Sequence, residues 1–126
     1  MSDLALSPFK VARDLGMRCE FPEDDELFID IDSDADLVHY FAMKEVLTEN
    51  KVQFFDERIT PSTTEGHFHI RVRLAEGDGF LGVITPEMRI ALQAAMGSDR
   101  KRELLSALRI LCRLDRPPTV FFEKEA

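Results

Sequence analysis

Tryptophan is absent from this 126-residue chain, tyrosine occurs once and cysteine only twice. Cys19 and Cys112 have no metal-site spacing and suggest no disulfide framework, so reduced, buried thiols in a cytoplasmic protein are expected. No apolar run approaches the ~18 residues that cross a bilayer. The first residues lack a basic stretch followed by a hydrophobic one, so neither a membrane span nor a signal peptide is expected. Glycine is sparse, and Gly77, Gly79 and Gly82 have neither Walker nor Rossmann spacing, which excludes the glycine-rich phosphate loops. A nucleophile elbow and a zinc-protease helix are also missing. Basic residues are scarce early: residues 1–57 hold 5 against 15 acidic side chains, a net of −10. Residues 58–126 hold 11 against 9, a net of +2, and the whole chain carries −8. That balance excludes a general nucleic-acid coat and confines any phosphate-binding surface to the second half.

What is present is enough apolar material, 44% with ten phenylalanines, to bury one core. A single domain over 1–126 follows, with its core in roughly 26–123 and residues 1–25 as an N-terminal extension. Ser7-Pro8 opens a short helix that Gly16 closes, and Met17 to Phe21 reads as a short strand. Residues 26–32 form a strand, and Ser33 or Asp34 caps a helix that stops at Asn50. Strands over Lys51–Ile59 and 66–74 flank a turn-rich connection and should pair as a hairpin. Phe80 to Val83 reads as a short strand extension. Thr85-Pro86 opens a helix running to Gly97, and Ser98 or Asp99 caps a last helix. Pro117-Pro118 breaks the chain before a final strand over Thr119–Glu123. This order predicts an α+β fold: a ferredoxin-like or RRM-like βαββαβ antiparallel sheet, helices on one face, with an extra C-terminal helix and a short N-terminal one. The opposite face is expected to stay open.

Two stretches concentrate the chemistry. In Leu27-Phe28-Ile29-Asp30-Ile31-Asp32, alternation puts Leu27, Ile29 and Ile31 on one face and Asp30 and Asp32 on the other. In residues 66–74, Phe68, Ile70, Val72 and Leu74 make the core face and His67, His69, Arg71 and Arg73 the polar one. Ferredoxin-like topology makes these strands neighbours, which sets paired carboxylates beside paired imidazoles. Carboxylates two apart on a strand suit Mg²⁺ or Mn²⁺, though acids on a wet face are also simply solvated. His67 and His69 suit a transition metal or a phosphate, and Arg71 and Arg73 a triphosphate, or else ion pairs with Asp56 and Glu57. Arg100, Lys101, Arg102, Arg109, Arg113 and Arg116 form a second basic set, which is either a solvated helix face or a nucleic-acid contact. Charges occupy the positions where an RNA-recognition motif carries stacking aromatics.

The strand ending in Asp30-Ile31-Asp32, followed by Thr60-Pro61-Ser62 and then Gly66-His67-Phe68-His69-Ile70-Arg71, resembles the archaeo-eukaryotic primase superfamily. The likeness is greatest to the primase-polymerase branch common on phages and plasmids, and it covers roughly residues 26–74. The resemblance implies Asp30 and Asp32 as metal-binding, catalytic acids and His69 as the group on the incoming nucleotide's phosphates. It gives His67 a weaker form of that role and places Ser62 in the phosphate-binding turn. Implied partners are a nucleoside triphosphate or single-stranded nucleic acid, and a larger replication protein. The family's third acid has only Asp115 or Glu123 as counterparts here, Thr63-Thr64-Glu65 separates the turn from the histidines, and 26 residues are too few for the family's N-terminal module. The other readings are a non-catalytic acidic module that faces a basic partner or mimics nucleic acid, and a metal-dependent nuclease.

Overall fold

The computed structural model describes residues 8–77, 80–112 and 118–124. Its elements are α1 (Pro8–Leu15), β1 (Met17–Glu20), β2 (Glu26–Ile31), α2 (Asp34–Glu49), β3 (Phe54–Pro61), β4 (Phe68–Leu74), α3 (Pro86–Ala95), α4 (Arg100–Leu111) and β5 (Phe121–Lys124). The fold is α+β, with antiparallel sheets of three and two strands. Arg113, Asp115, Arg116 and Pro117 lie outside the described residues. The segment after β4 carries only an isolated bridge between Gly77 and Phe80 in place of the expected extension.

The helix starts follow from capping. Ser33 accepts a hydrogen bond from the Asp36 N–H at 3.2 Å, and Asp34 and Asp36 sit in the positive first turn of α2. Thr85 accepts from Met88 N–H at 3.2 Å, with Pro86 in the first turn of α3. Asp99 caps α4, its carboxylate accepting from Lys101 N–H at 3.4 Å.

The larger sheet has the order β2-β4-β3, so the two chemically loaded strands are neighbours. Asp30 pairs with His69, Phe28 with Arg71 and Glu26 with Arg73. The β3–β4 hairpin contains a bulge between Phe55 and Arg58, where Asp56 takes a positive φ of 51°. On the helix-covered face, Leu27, Ile29, Ile31, Ile70 and Val72 are fully buried with Tyr40 and Met96, and Leu37, Met43, Leu47 and Leu92 pack against them. Period-2 alternation in the strands and the helical stripe of α2 therefore meet in one core.

The other face is covered. The last strand does not join the main sheet; β5 pairs with β1, Glu20 opposite Phe121 and Met17 opposite Lys124. This ribbon lies over the polar side of β2 and β4. Phe121 stacks on Phe28 at 4.4 Å and on His69 at 4.0 Å, both nearly parallel. Phe28 and Phe121 are 2% exposed, so the face expected to be open is a second, smaller core. The edge of β2 where a fourth strand would pair is occupied instead by the α3–α4 corner. Gln93 Oε1 accepts from Phe28 N–H at 2.7 Å, Ser98 Oγ from Asp30 N–H at 3.0 Å, and Arg102 donates to Phe28 O at 2.5 Å. With its hydrogen bonds already made, that edge has no room for β5.

Phe121→Ala removes the ring that joins the two layers. It should cost ~3–5 kcal/mol of unfolding free energy, the range for emptying a buried aromatic site. Urea melts of the two proteins measure this, and a loss under ~1 kcal/mol would mean that the ribbon is not packed on the sheet.

Candidate functional site

The strand register does what the alternation predicts for Asp30 and Asp32. His69 Nε2 lies 3.8 Å from Asp30 Oδ1, and His67 Nδ1 lies 3.2 Å from Asp32 Oδ1. A third acid joins them from far along the chain. Asp30, Asp32 and Asp99 each offer a carboxylate oxygen within 4.8 Å of the other two. Asp99 N–H donates to Asp30 O at 2.7 Å, which ties the α3–α4 turn to the end of β2. Gly97 makes that turn feasible: its φ is 96°, and a Cβ there would stand 3.0 Å from Asp36 O.

Neither residue suggested as the third acid by the family pattern takes that place. Asp115 lies outside the described residues. Glu123 sits across the sheet face, accepting from His69 Nδ1 at 2.9 Å and from Arg71 at 2.8 Å. With Nδ1 bonded to Glu123, Nε2 is the ring nitrogen turned towards Asp30. This is the carboxylate–histidine arrangement that orients a metal-binding imidazole. The geometry thus suits His69 to a cation beside Asp30 better than to a free phosphate.

The arginines expected to hold phosphates are already engaged. Arg71 lies beside the Phe28–Phe121 stack, its guanidinium carbon 5.3 and 5.0 Å from the ring centroids, and bonds Glu20 as well as Glu123. Its side chain is 11% exposed. Arg73 forms a two-point pair with Asp25 at 2.9 and 3.1 Å, rather than with Asp56 or Glu57. Glu57 instead accepts from Tyr40 and Lys44, both at 2.6 Å. The open face was the premise for a phosphate site on Arg71, and the β1–β5 ribbon removes it.

A different set of groups surrounds the acids. A cavity of about 270 Å³ is lined by Asp30, Ser62, His67, His69, Arg102 and Arg109, among others. Ser62 stands on its hairpin wall, where its hydroxyl accepts from Thr64 N–H at 3.2 Å. A second cavity, of about 430 Å³, is lined by Asp32, Asp36, His39, Ser98, Asp99 and Arg100. The three carboxylates therefore stand between two cavities, Asp30 facing one and Asp32 and Asp99 the other. A cavity lined by Leu27, Leu47, Phe54, Leu74 and Leu92, among others, is at the opposite end of the strands.

Burial pushes the Asp30 carboxyl above its ordinary range; Arg102 and His69 pull it down, and Asp99 pushes it further up. Asp32 is raised by burial, by the charge of Asp99 and a hydrogen bond to it, and by Asp30. Glu123 moves the other way: burial raises it, but the bonds from His69 and Arg71 outweigh that and lower it. Three converging oxygen-donor carboxylates, with the proton affinity of Asp30 and Asp32 raised, suit a hard divalent cation. Asp99 also has a structural duty as the cap of α4, and helix N-termini draw acids on their own account.

Asp99 is the site residue that sequence reasoning missed, and Arg102 was read only as one of the basic set on the last helix. Asp99 was legible only as a helix cap, because nothing in local spacing links it to a strand almost seventy positions earlier. No family model, curated protein or solved structure matches this chain. Among the described residues, no helix is long and apolar enough to cross a membrane.

The raised Asp30 fixes the sign of a pH effect. The folded protein holds the proton more tightly than the unfolded chain, so this contribution to stability is full below the ordinary carboxylate pKa. It is lost as pH rises through the folded value. Asp30→Asn should therefore raise Tm relative to wild type at pH 7 in a chelator, with the gain shrinking towards pH 3. Calorimetric melts across that range check it; a lower Tm for the variant at pH 7 would contradict the electrostatic account.

Proposed function

We propose that this chain is a compact palm-like module that binds a divalent cation, Mg²⁺ or Mn²⁺, on Asp30, Asp32 and Asp99. Through that cation it takes a phosphate-bearing ligand: a nucleoside triphosphate or a nucleic-acid strand. One observation carries the reading: the meeting of three carboxylates from two segments far apart in the chain, with His67 and His69 alongside and a cavity opening at Asp30. The cation would neutralise phosphate charge. His67, which shares the cavity with Asp30, would meet the phosphate oxygens, and Ser62 stands on the same wall; Arg102 lines it too but is held by Phe28 O, Ser98 and Glu103. His69, oriented by Glu123, would serve the cation. The resemblance to primase-polymerases supports Asp30 and Asp32, though not Asp99, and adds nucleotidyl transfer as the chemistry.

A second reading is favoured by one specific feature. The ribbon that packs Phe121 on His69 and closes over Arg71 removes part of the phosphate-binding set that transfer would use. That supports a module which binds a cation and a phosphate-bearing partner without transferring a nucleotide. Nuclease chemistry has the same acids available but no separate observation in its favour.

Titration calorimetry of Mn²⁺ into the wild type should show saturable binding. It should fall at least tenfold in Asp30→Asn with Asp32→Asn, and in Asp99→Asn. A nucleoside triphosphate titrated into the metal-loaded protein should then bind, and not without metal. Absence of Mn²⁺ binding at millimolar concentration would sink the metal reading. If both ligands bind, extension of a labelled primer separates transfer from simple binding.

A further inference from the structure

Helix α2 carries apolar side chains on its outer side as well as its inner one. Leu37, Tyr40, Met43 and Leu47 face the sheet, while Val38 is 68% exposed, Phe41 46% and Val46 47%. Ala42 is exposed on the same side. The acids exposed beside this stripe are Asp34, Glu45 and Glu49, and the helix's one lysine, Lys44, is turned to Glu57.

Helix α4 presents the reverse. Its outer stripe is Leu104, 60% exposed, Ala107, and Leu111, 76% exposed, at the i, i+3, i+7 spacing of a helix face. The charges exposed beside it are Arg100 and Lys101, and its one acid, Glu103, is buried at 3%. The chain thus carries two uncovered apolar helix faces, one with an acidic rim and one with a basic rim.

We propose that these faces bind each other between copies of the chain, with α4 of one copy seated on α2 of the next. Pairing α2 with α2 would set acids on acids, and pairing α4 with α4 would set cations on cations. The α2–α4 contact alone joins apolar to apolar and opposite charges at the rim. The contact is heterologous, so each added copy leaves one free face of each kind and assembly proceeds head to tail. A single helix pair is well below the ~1,600 Å² of a standard stable interface, so association is weak and reversible. Salt weakens it further by screening the rim. This inference is independent of the metal site.

Sedimentation velocity on the full chain, from about 10 μM to about 1 mM, spans the range in which so small a contact associates. The wild type should show an average mass that rises with concentration and falls when salt is added. Phe41→Glu and Leu104→Glu should each be monomeric, with Tm within a few degrees of wild type because both side chains are exposed. Mixed in equal amounts, the two variants should form a dimer and stop there, since each supplies one intact face. A monomeric wild type at 1 mM would overturn the proposal. So would a mixture that stays monomeric, or loss of association in only one variant, which would mean that one face pairs with itself.

Discussion

Strand β2 must be hydrogen-bonded along both edges, because both of its faces are buried. Leu27, Ile29 and Ile31 are enclosed by the helices and Phe28 by Phe121. β4 serves one edge. On the other, Phe28 N–H, Asp30 N–H, Phe28 O, Asp30 O and Glu26 O need partners, and a buried group left without one costs about 1–3 kcal/mol. Gln93, Ser98, Arg102, the Asp99 amide and Arg89 meet those needs at 2.5–3.0 Å. These partners are themselves held in place. Glu103 accepts from Gln93 at 3.0 Å and from Ser98 at 2.6 Å, so a buried carboxylate braces the corner that finishes the sheet. The arrival of Asp99 beside Asp30 is a consequence of this edge, since its own amide makes one of the bonds.

The same edge explains how far the fold could be read from the residues. Element types and the β2–β4 neighbourhood follow from alternation at 27–32 and 66–74 and from capping at Ser33, Thr85 and Asp99, all of which are local signals. Placement of the last strand is not local. Thr119–Glu123 reads as a strand, but whether it joins β2 or β1 depends on Gln93, Ser98 and Arg102, which look like ordinary polar helix and turn residues. Their hydrogen bonds to strand backbone have no periodicity to announce them. The candidate site divides in the same way. The acid–imidazole juxtaposition was legible because both partners lie on regular strands, whereas Asp99 and Arg102 enter through a tertiary contact.

The covering ribbon changes the meaning of the polar face. On an open sheet, Arg71 and His69 would be available to a ligand. Under Phe121 they become part of the packing, and the charge on Arg71, beside two stacked aromatic rings, is matched by Glu20 and Glu123. A guanidinium can sit there because it is planar, weakly hydrated and able to stack while it donates to two carboxylates. Pairing with Arg71 and His69 in turn holds Glu123 ionised. The alternating residues that suggest a binding surface in the sequence are thus shared out. Those towards Arg71 hold the second layer in place, and those towards Asp30 remain at a cavity.

What remains at the cavity is best judged by asking which acids have a reason to be there without a ligand. Asp99 has one, since α4 needs a cap and β2 needs its amide. Asp30 and Asp32 do not share it. Aspartate is poor in strands, Asp30 is partly buried with its proton affinity raised, and its imidazole neighbour is 3.8 Å away, beyond a good hydrogen bond. Asp32 shares a hydrogen bond with Asp99 and has His67 at 3.2 Å, on a half-exposed rim. A fold that meets every need of the β2 edge with well-placed partners leaves these two carboxylates close together, with their proton affinity raised. The proposed cation between Asp30, Asp32 and Asp99 would lower that cost, and would leave in place the hydrogen bonds that built the corner.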